Sequence, residues 1–123
     1  MSSLITTGYY MYIEASSPRS RYDKAELWSP ALDGTAGEQR CLTLWYHMYG
    51  TGIGRLFILQ YGNFVFQELL VIKGNKGTDW QLEQVTFDTS GGAKEQVVLR
   101  ADRGWSNRGD IAIDDVSISV GPC

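Results

Sequence analysis

Apolar and polar residues alternate along most of the chain, and clusters of glycine and asparagine separate the alternating stretches. In the clearest case, residues 41–49, Leu42, Leu44, Tyr46 and Met48 occupy every second position. A period of two is typical of a β-strand with one buried face, so these four side chains are predicted to face the core. The opposite face of this strand then carries Cys41, Thr43, Trp45, His47 and Tyr49.

Seven further stretches are predicted to be strands, because β-branched and aromatic residues fill them and turn-forming residues bound them. No stretch repeats its apolar residues with a helical period, so the sequence indicates an all-β fold, and at this length a sandwich rather than a barrel. Trp28 and Trp80 are expected to anchor the core. The strands are predicted at residues 9–15, 24–29, 41–49, 55–61, 64–72, 80–87, 95–101 and 111–120. The residues expected to be buried are Leu42, Leu44, Tyr46, Met48, Leu56, Ile58, Val97, Leu99, Val116 and Ile118.

The last predicted strand changes its apolar phase once. Ile111 and Ile113 share one parity, whereas the apolar residues from Val116 onward share the other. A slip of one residue would turn half of the strand inside out, so we expect a β-bulge at Asp114 and Asp115 to absorb it. One of the two carboxylates should then turn inward, where it needs backbone N–H groups, an arginine or a cation as its partner.

Composition places the chain among ordinary globular domains, because 43% of its 123 residues are apolar and 20% are charged. The net charge of −3 gives no basic excess, which argues against a nucleic-acid partner or an anionic membrane surface. No apolar run is long enough to cross a membrane, and the first residues have no signal-peptide pattern. We therefore expect no direct insertion into a membrane.

The sequence offers little for catalysis. His47, the only histidine, lies mid-strand in LWYHMYG without a nucleophile motif beside it. Asp114 and Asp115 are adjacent, so on a regular strand their side chains would point apart and make a poor acid–base pair. The protein is therefore predicted not to be an enzyme.

The carboxylates near the end of the chain are better suited to a hard cation. Asp110, Asp114 and Asp115 lie in RGDIAIDD, and Glu14 would approach the bulge if the first and last strands were neighbours. Carboxylate oxygens are preferred ligands of Ca²⁺. The alternative is that these groups accept N–H bonds from the turn or bulge, or pair with arginine. No cofactor is expected to be required, and calcium is the one candidate.

Aromatic residues are the other candidates for function. Trp45, His47 and Tyr49 share the face opposite the core, and Trp105 lies in the polar stretch RGWSNRGD. If these residues are exposed, they would form a contact patch for a protein or a sugar. The alternative is that a second sheet or a loop covers them.

The chain has two cysteines, Cys41 and Cys123. Two cysteines alone do not distinguish a disulfide from a pair of free thiols. One histidine is too few to complete a zinc site with them. The residues by themselves therefore leave both thiol states open.

Five motifs, in order along the chain, resemble those of one known family. GYYMYIEASSP, AELWSP, CLTLWYHMYGTGIGRLFI, KGNKGTDWQLEQVTF and RGWSNRGDIAIDDVSI, with a closing cysteine, are similar to a MAM domain, the extracellular module of meprins, neuropilins and receptor-type tyrosine phosphatases. The resemblance covers residues 8–123 and leaves residues 1–7 as a flexible N-terminal segment. It implies an antiparallel jelly-roll β-sandwich and a disulfide between Cys41 and Cys123.

The resemblance also implies that part of the module is missing. A complete MAM domain carries a further N-terminal segment, with a second pair of cysteines and with acidic residues that serve the family's cation sites. Residues 8–123 therefore resemble an N-terminally truncated module. We expect calcium binding by this chain to be weak or absent.

For function, the resemblance implies a non-catalytic adhesion or oligomerisation module at the cell surface or outside the cell, as part of a larger secreted or single-span membrane protein. Its partner would be a protein, either a second copy or another extracellular protein. The alternative is a carbohydrate-binding module, because jelly rolls often present aromatic residues to sugars. Ring geometry separates the two, since a sugar platform needs two or more ring faces open to solvent in one plane or groove.

Overall fold

Two antiparallel sheets of four strands each make up the protein. The computed structural model describes residues 10–14, 24–32, 34–51, 54–102 and 108–123, and this part of the chain contains no helix, so none that could cross a membrane. The strands are β1 (Tyr10–Glu14), β2 (Lys24–Trp28), β3 (Gln39–Thr51), β4 (Arg55–Gly62), β5 (Val65–Lys73), β6 (Gln81–Asp88), β7 (Gln96–Asp102) and β8 (Arg108–Val120). All eight predicted strands are confirmed.

The order of the strands is that of a jelly roll. One sheet runs β1-β8-β3-β6 and the other β2-β7-β4-β5. Of these eight strands, only β4 and β5 follow each other within one sheet, and each of the other connections passes to the opposite sheet. Such alternation between two packed sheets is typical of the jelly roll, so the predicted all-β jelly-roll sandwich is confirmed.

The core lies between the two sheets and is built from the positions that the alternation predicts. All ten residues expected to be buried are buried, and Leu32 and Phe87 extend the cluster. Each large apolar side chain buried in this way contributes about 1.5–3 kcal/mol. Because the inward positions are committed to this core, the outward positions are the ones available for contacts with other molecules.

Two tryptophans depart from the prediction. Trp28 and Trp80, which the sequence predicts in the core, have 37% and 42% of their surface exposed, so that prediction is wrong. The reason is strand parity: Ala25 and Leu27 of β2 pack against the core, which leaves Glu26 and Trp28 on the outer face. Trp80 precedes β6 and lies at the edge of the other sheet.

β8 contains the predicted bulge. Thr43 pairs with Ser117 whereas Trp45 pairs with Asp114, so β8 has one more residue than β3 over this interval. Asp115 has a φ of 50°, a left-handed conformation that aspartate tolerates better than most residues. The expected inward carboxylate is wrong, because Asp114 is only half-buried and Asp115 is exposed. The Oδ1 atom of Asp114 accepts a hydrogen bond from the Asp115 backbone N–H at 2.8 Å, which holds the carboxylate at the surface.

Candidate functional site

The aromatic residues that the sequence singles out on β3 lie on the outer face of the β1-β8-β3-β6 sheet. Trp45 and Tyr49 are 39% and 49% exposed, and His47 between them is partly exposed. Tyr46 and Met48 fill the core, so parity turns the other three residues outward. The alternative of a covering second sheet is wrong, because the other sheet packs on the opposite side of β3. Trp105 lies outside the described residues.

β6 extends this surface sideways. Leu82, which is 48% exposed, lies directly opposite Trp45, and the exposed Trp80 comes two residues earlier. The ring centre of His47 lies 5.5 Å from that of Trp80 and 6.3 Å from that of Tyr49. These five residues form one continuous patch, called here the β3–β6 face. Exposed apolar patches of this kind mark interaction sites.

His47 holds a neighbouring loop in place. Its Nε2 atom lies 3.1 Å from the carbonyl oxygen of Thr78, so the Nε2–H group donates to that backbone oxygen. The backbone N–H of Lys76 donates to the carbonyl oxygen of Met48 at 2.7 Å in the same loop. These two bonds fix the loop that carries Trp80 against β3. The imidazole of His47 therefore links β3 to the loop before β6.

A small cavity opens at the β8 side of Trp45. Its volume is about 220 Å³, and its walls are Trp45, Trp80, Asp114 and Asp115. None of the ion pairs formed within the described part of the chain involves either aspartate. The cavity therefore combines two partly exposed indole rings with two carboxylates that no described cation neutralises.

The backbone register divides the four acidic residues proposed for calcium into two positions along the strands. β1 and β8 are neighbours as expected, but Tyr10 lies opposite Asp114, and Glu14 lies opposite Asp110. Four strand residues correspond to about 13 Å, so the expected approach of Glu14 to the bulge is wrong. Ca²⁺ needs six to eight oxygen ligands, and the backbone register separates Glu14 and Asp110 from Asp114 and Asp115.

No group of three or more histidine, cysteine, aspartate or glutamate side chains suited to a metal ion is present among the side chains that the structure describes. The side chains of Glu14 and Asp110 lie outside that set. Calcium binding stays a prediction to be measured.

The structure contains the disulfide that the family resemblance implies. Cys41 on β3 is bonded to Cys123, with 4.8 Å between their Cα atoms. The backbone N–H of Cys123 donates to Thr86 Oγ1 of β6 at 3.0 Å, and the N–H of Gly121 donates to the carbonyl oxygen of Gln39. The last residues therefore cross β3 toward β6 and are held there. No cysteine is left as a free thiol.

A second aromatic surface lies on the outer face of the other sheet, and the sequence analysis missed it. The rings of Trp28, Tyr61 and Phe66 have centres 4.5–5.8 Å apart. The guanidinium of Arg100 lies 4.9 Å from the centre of the Phe66 ring. Its Nε–H group donates to Glu26 Oε2 at 2.6 Å, which holds it there. The turn at residues 63 and 64 could have indicated this surface. In a hairpin with a two-residue turn, the residues two places before and two places after the turn lie opposite each other, and here these are Tyr61 and Phe66.

Comparison with known families gives one consistent match. The family model described as "MAM domain, meprin/A5/mu" matches residues 2–123. The MAM domain-containing glycosylphosphatidylinositol anchor protein 1 of Gallus gallus is 41% identical over 119 residues, which is 94% of this chain and 12% of the relative. The MAM domain-containing protein 2 of Mus musculus is 42% identical over 118 residues, again 94% of this chain and 17% of the relative. The chain thus spans less than a fifth of the length of these relatives.

Solved structures resemble the chain in fold. The structure titled "Family 16 Carbohydrate Binding Module-2" has a TM-score of 0.57 and 18% identity, and the match covers 80% of this chain and 72% of that one. The sugar-binding C-terminal domain of EclA has a TM-score of 0.62 and 11% identity, over 90% of this chain and 77% of that one. At such identities the likeness shows a shared jelly-roll fold and carries no ligand across.

Proposed function

The chain belongs to the MAM domain family, and from this premise we propose that it is a non-catalytic adhesion or oligomerisation module that makes protein–protein contacts. Its setting would be the cell surface or the extracellular space, as one module of a larger protein. The names of relatives, which describe glycosylphosphatidylinositol-anchored proteins, support a cell-surface setting. The disulfide supports it as well, because such bonds persist in oxidising compartments.

The β3–β6 face is the observation that carries this proposal. Trp45, Tyr49, Trp80 and Leu82 each expose between 39% and 49% of their surface, side by side on one sheet. Aromatic side chains of this kind supply much of the binding energy of protein interfaces. Their burial by a partner would remove apolar area from water at about 25 cal/mol per Å². A patch that mixes aromatic, aliphatic and imidazole side chains suits a protein surface.

The angles between neighbouring rings give no support to a sugar platform whose rings lie in one plane. On the β3–β6 face, the ring plane of His47 is tilted by 44° from that of Trp80 and by 48° from that of Tyr49. On the opposite sheet, the plane of Trp28 stands at 72° to those of both Tyr61 and Phe66. Rings that open their faces to a sugar in one plane lie close to parallel, whereas the His47 pairs are tilted and the Trp28 pairs pack edge against face.

Cell binding tests the proposal. The chain, biotinylated and assembled on fluorescent streptavidin, is added to cells that have been treated with a protease, with glycosidases or with neither. We expect binding that protease treatment removes and glycosidase treatment leaves. Binding that only glycosidases remove would favour the sugar-binding alternative. Absence of both cell binding and self-association, measured by sedimentation velocity, would contradict the proposal.

Matched variants locate the contact. Leu82→Glu places a charge in the β3–β6 face and should weaken binding about fivefold or more, because interface cores exclude unpaired charges. Val120→Glu is the control, since Val120 is 80% exposed on the same sheet but lies near the end of β8. Equal binding by the two variants would mean that the contact lies elsewhere on the molecule.

The absence of catalysis is part of the proposal. The bond between His47 and the Thr78 carbonyl oxygen supports it, because that nitrogen serves as a backbone donor. Ester, peptide and glycoside substrates are therefore expected to give no turnover above that of buffer. Hydrolysis that disappears in His47→Ala would contradict this.

A further inference from the structure

We propose that the cavity beside Trp45 receives an arginine side chain of a partner polypeptide. The inference rests on the proposed protein-contact function and specifies the chemistry of one part of the β3–β6 face. The cavity is lined by Trp45, Trp80, Asp114 and Asp115. Two indole rings and two carboxylates in one concavity are complementary to a planar cation in both shape and charge.

The bulge in β8 is what creates the negative end of the cavity. On a regular strand, consecutive side chains point to opposite faces, so only Asp114, which lies opposite Trp45, would face outward. The extra residue of the bulge, with Asp115 at a φ of 50°, puts both carboxylates on the outer side. A pair of adjacent negative charges is costly by itself and becomes favourable when a cation lies between them.

The two carboxylates have acceptor capacity left for such a cation. One oxygen of Asp114 accepts the Asp115 backbone N–H, and the remaining carboxylate oxygens make no hydrogen bond to any part of the chain that the structure describes. An arginine guanidinium has five N–H donors in a planar fork, which matches carboxylate oxygens in pairs. Lysine offers a compact charge without that planar match.

The tryptophans supply the apolar walls. Trp45 and Trp80 keep 39% and 42% of their surface exposed, and both border the cavity. A guanidinium plane stacks on an indole face through cation–π attraction, and tryptophan is the best aromatic partner for it. The same chain already shows this kind of contact, with Arg100 over Phe66 and Arg55 over Phe57 at 4.9 and 5.0 Å.

The volume of the cavity and the charge of the chain further restrict which ligands fit. A volume of about 220 Å³ is smaller than the roughly 300–1,000 Å³ of pockets that hold whole small molecules. The cavity therefore suits one long side chain presented by a larger surface. The net charge of −3 on the chain favours approach by a basic partner.

Peptide titration followed by NMR tests the inference on the intact chain. The probe is acetyl-Gly-Arg-Gly-amide, and its neutral isostere, the citrulline peptide, is the matched ligand control. Each tryptophan indole N–H gives one signal, and the Trp45 and Trp80 signals are assigned from single Trp→Phe variants. We expect those two signals to shift with a Kd on the order of millimolar, while the Trp28 signal stays in place.

Variants separate the cavity from the fold. Asp114→Asn with Asp115→Asn should weaken arginine binding about fivefold or more, and asparagine keeps the left-handed backbone at position 115. Asp88→Asn, which removes one exposed charge from the same sheet, should leave it unchanged. If the double variant folds poorly, Trp80→Leu is the second variant, because Trp80 lies outside the strands. It should also weaken binding of the arginine peptide.

Two outcomes would overturn the inference. One is that the citrulline peptide binds as tightly as the arginine peptide. The other is that calcium chloride shifts the Trp45 and Trp80 signals whereas the arginine peptide does not. If the arginine peptide fails to bind while protease-sensitive cell binding persists, the cavity assignment is wrong and the contact function stands. The two proposals can therefore fail separately.

Discussion

Removal of the Glu95 side chain should destabilise the fold far more than removal of its charge. Glu95 is 1% exposed and directly precedes β7. Its Oε2 atom accepts hydrogen bonds from the Ser90 backbone N–H at 2.9 Å, from Ser90 Oγ at 2.7 Å and from Gln60 Nε2. One carboxylate therefore ties β4 to the connection between β6 and β7, inside the protein.

The size of the effect follows from the donors that lose their partner. Glu95→Ala leaves the two Ser90 donors without an acceptor, and the Gln60 amide keeps only its bond to the Asp88 carbonyl oxygen at 2.9 Å. Gln60 is buried, so the partner its donor loses costs about 1–3 kcal/mol, whereas Ser90 is exposed and each of its donors, which can bond to water, costs about 0.5 kcal/mol; the total loss should be about 2–4 kcal/mol. Glu95→Gln retains an oxygen at the same place but loses the charge, which roughly halves the strength of each bond. Its expected loss is about 1–2 kcal/mol.

Urea unfolding followed by tryptophan fluorescence measures both losses as changes in the free energy of unfolding. Glu68→Ala is the control, because Glu68 lies exposed on β5 and its removal should change stability by less than about 0.5 kcal/mol. If Glu95→Ala unfolds within 1 kcal/mol of the parent, or if the glutamine variant loses as much as the alanine variant, then the hydrogen-bond account is wrong.

Four further predictions concern other parts of the molecule. Reduction of the Cys41–Cys123 disulfide, which joins residues 82 apart, should lower the free energy of unfolding by about 4.5 kcal/mol, and an unchanged urea midpoint in reductant would contradict this. Phe64→Gly should stabilise the protein by about 0.5–1 kcal/mol in thermal melts, because Phe64 is 93% exposed and its φ of 62° suits glycine; a lower melting temperature would refute the strain argument. Burial, reinforced by a nearby carboxylate, raises the pKa of Tyr46 above 10.0. The stability that its neutral phenol contributes is therefore present below pH 10 and is lost as the pH rises above it. Tyr46→Phe should reduce the fall of the melting temperature with alkaline pH, and an unchanged fall would contradict this. Millimolar calcium should leave the melting temperature unchanged, and a rise that chelation reverses would show a cation site.

The strand positions and the β8 bulge could be predicted because each leaves a parity signal. The bulge in β8 is visible since polar residues interrupt the apolar phase at Asp114. A second bulge, between β4 and β5, gave no such signal: Ile58 pairs with Leu70 and Leu59 with Glu68. Residues 69–72 of β5 are all apolar, so apolar and polar positions do not alternate there and a shift of one residue leaves no trace in the sequence.

The site was predictable only where it depends on parity. Trp45 and Tyr49 face outward because their neighbours along β3 face inward. The core positions predicted for Trp28 and Trp80 rest on side-chain type, which is a weaker guide than position on a strand. The role of Glu95 depends on two donors of Ser90, five residues away, and on Gln60, 35 residues away, and no pattern of apolar and polar positions reports such contacts.

The fold and the outer surface make different demands on the two residues of the β8 bulge. The core requires one extra residue there, so that apolar side chains on both sides of it face inward. The left-handed conformation at position 115 requires a residue that tolerates positive φ, and asparagine would serve as well as aspartate. Neither demand calls for two negative charges on adjacent residues, which repel each other at the rim of a cavity. An arginine bound at the outer face, as proposed above, would account for both charges, and the bulge brings both carboxylates to that face.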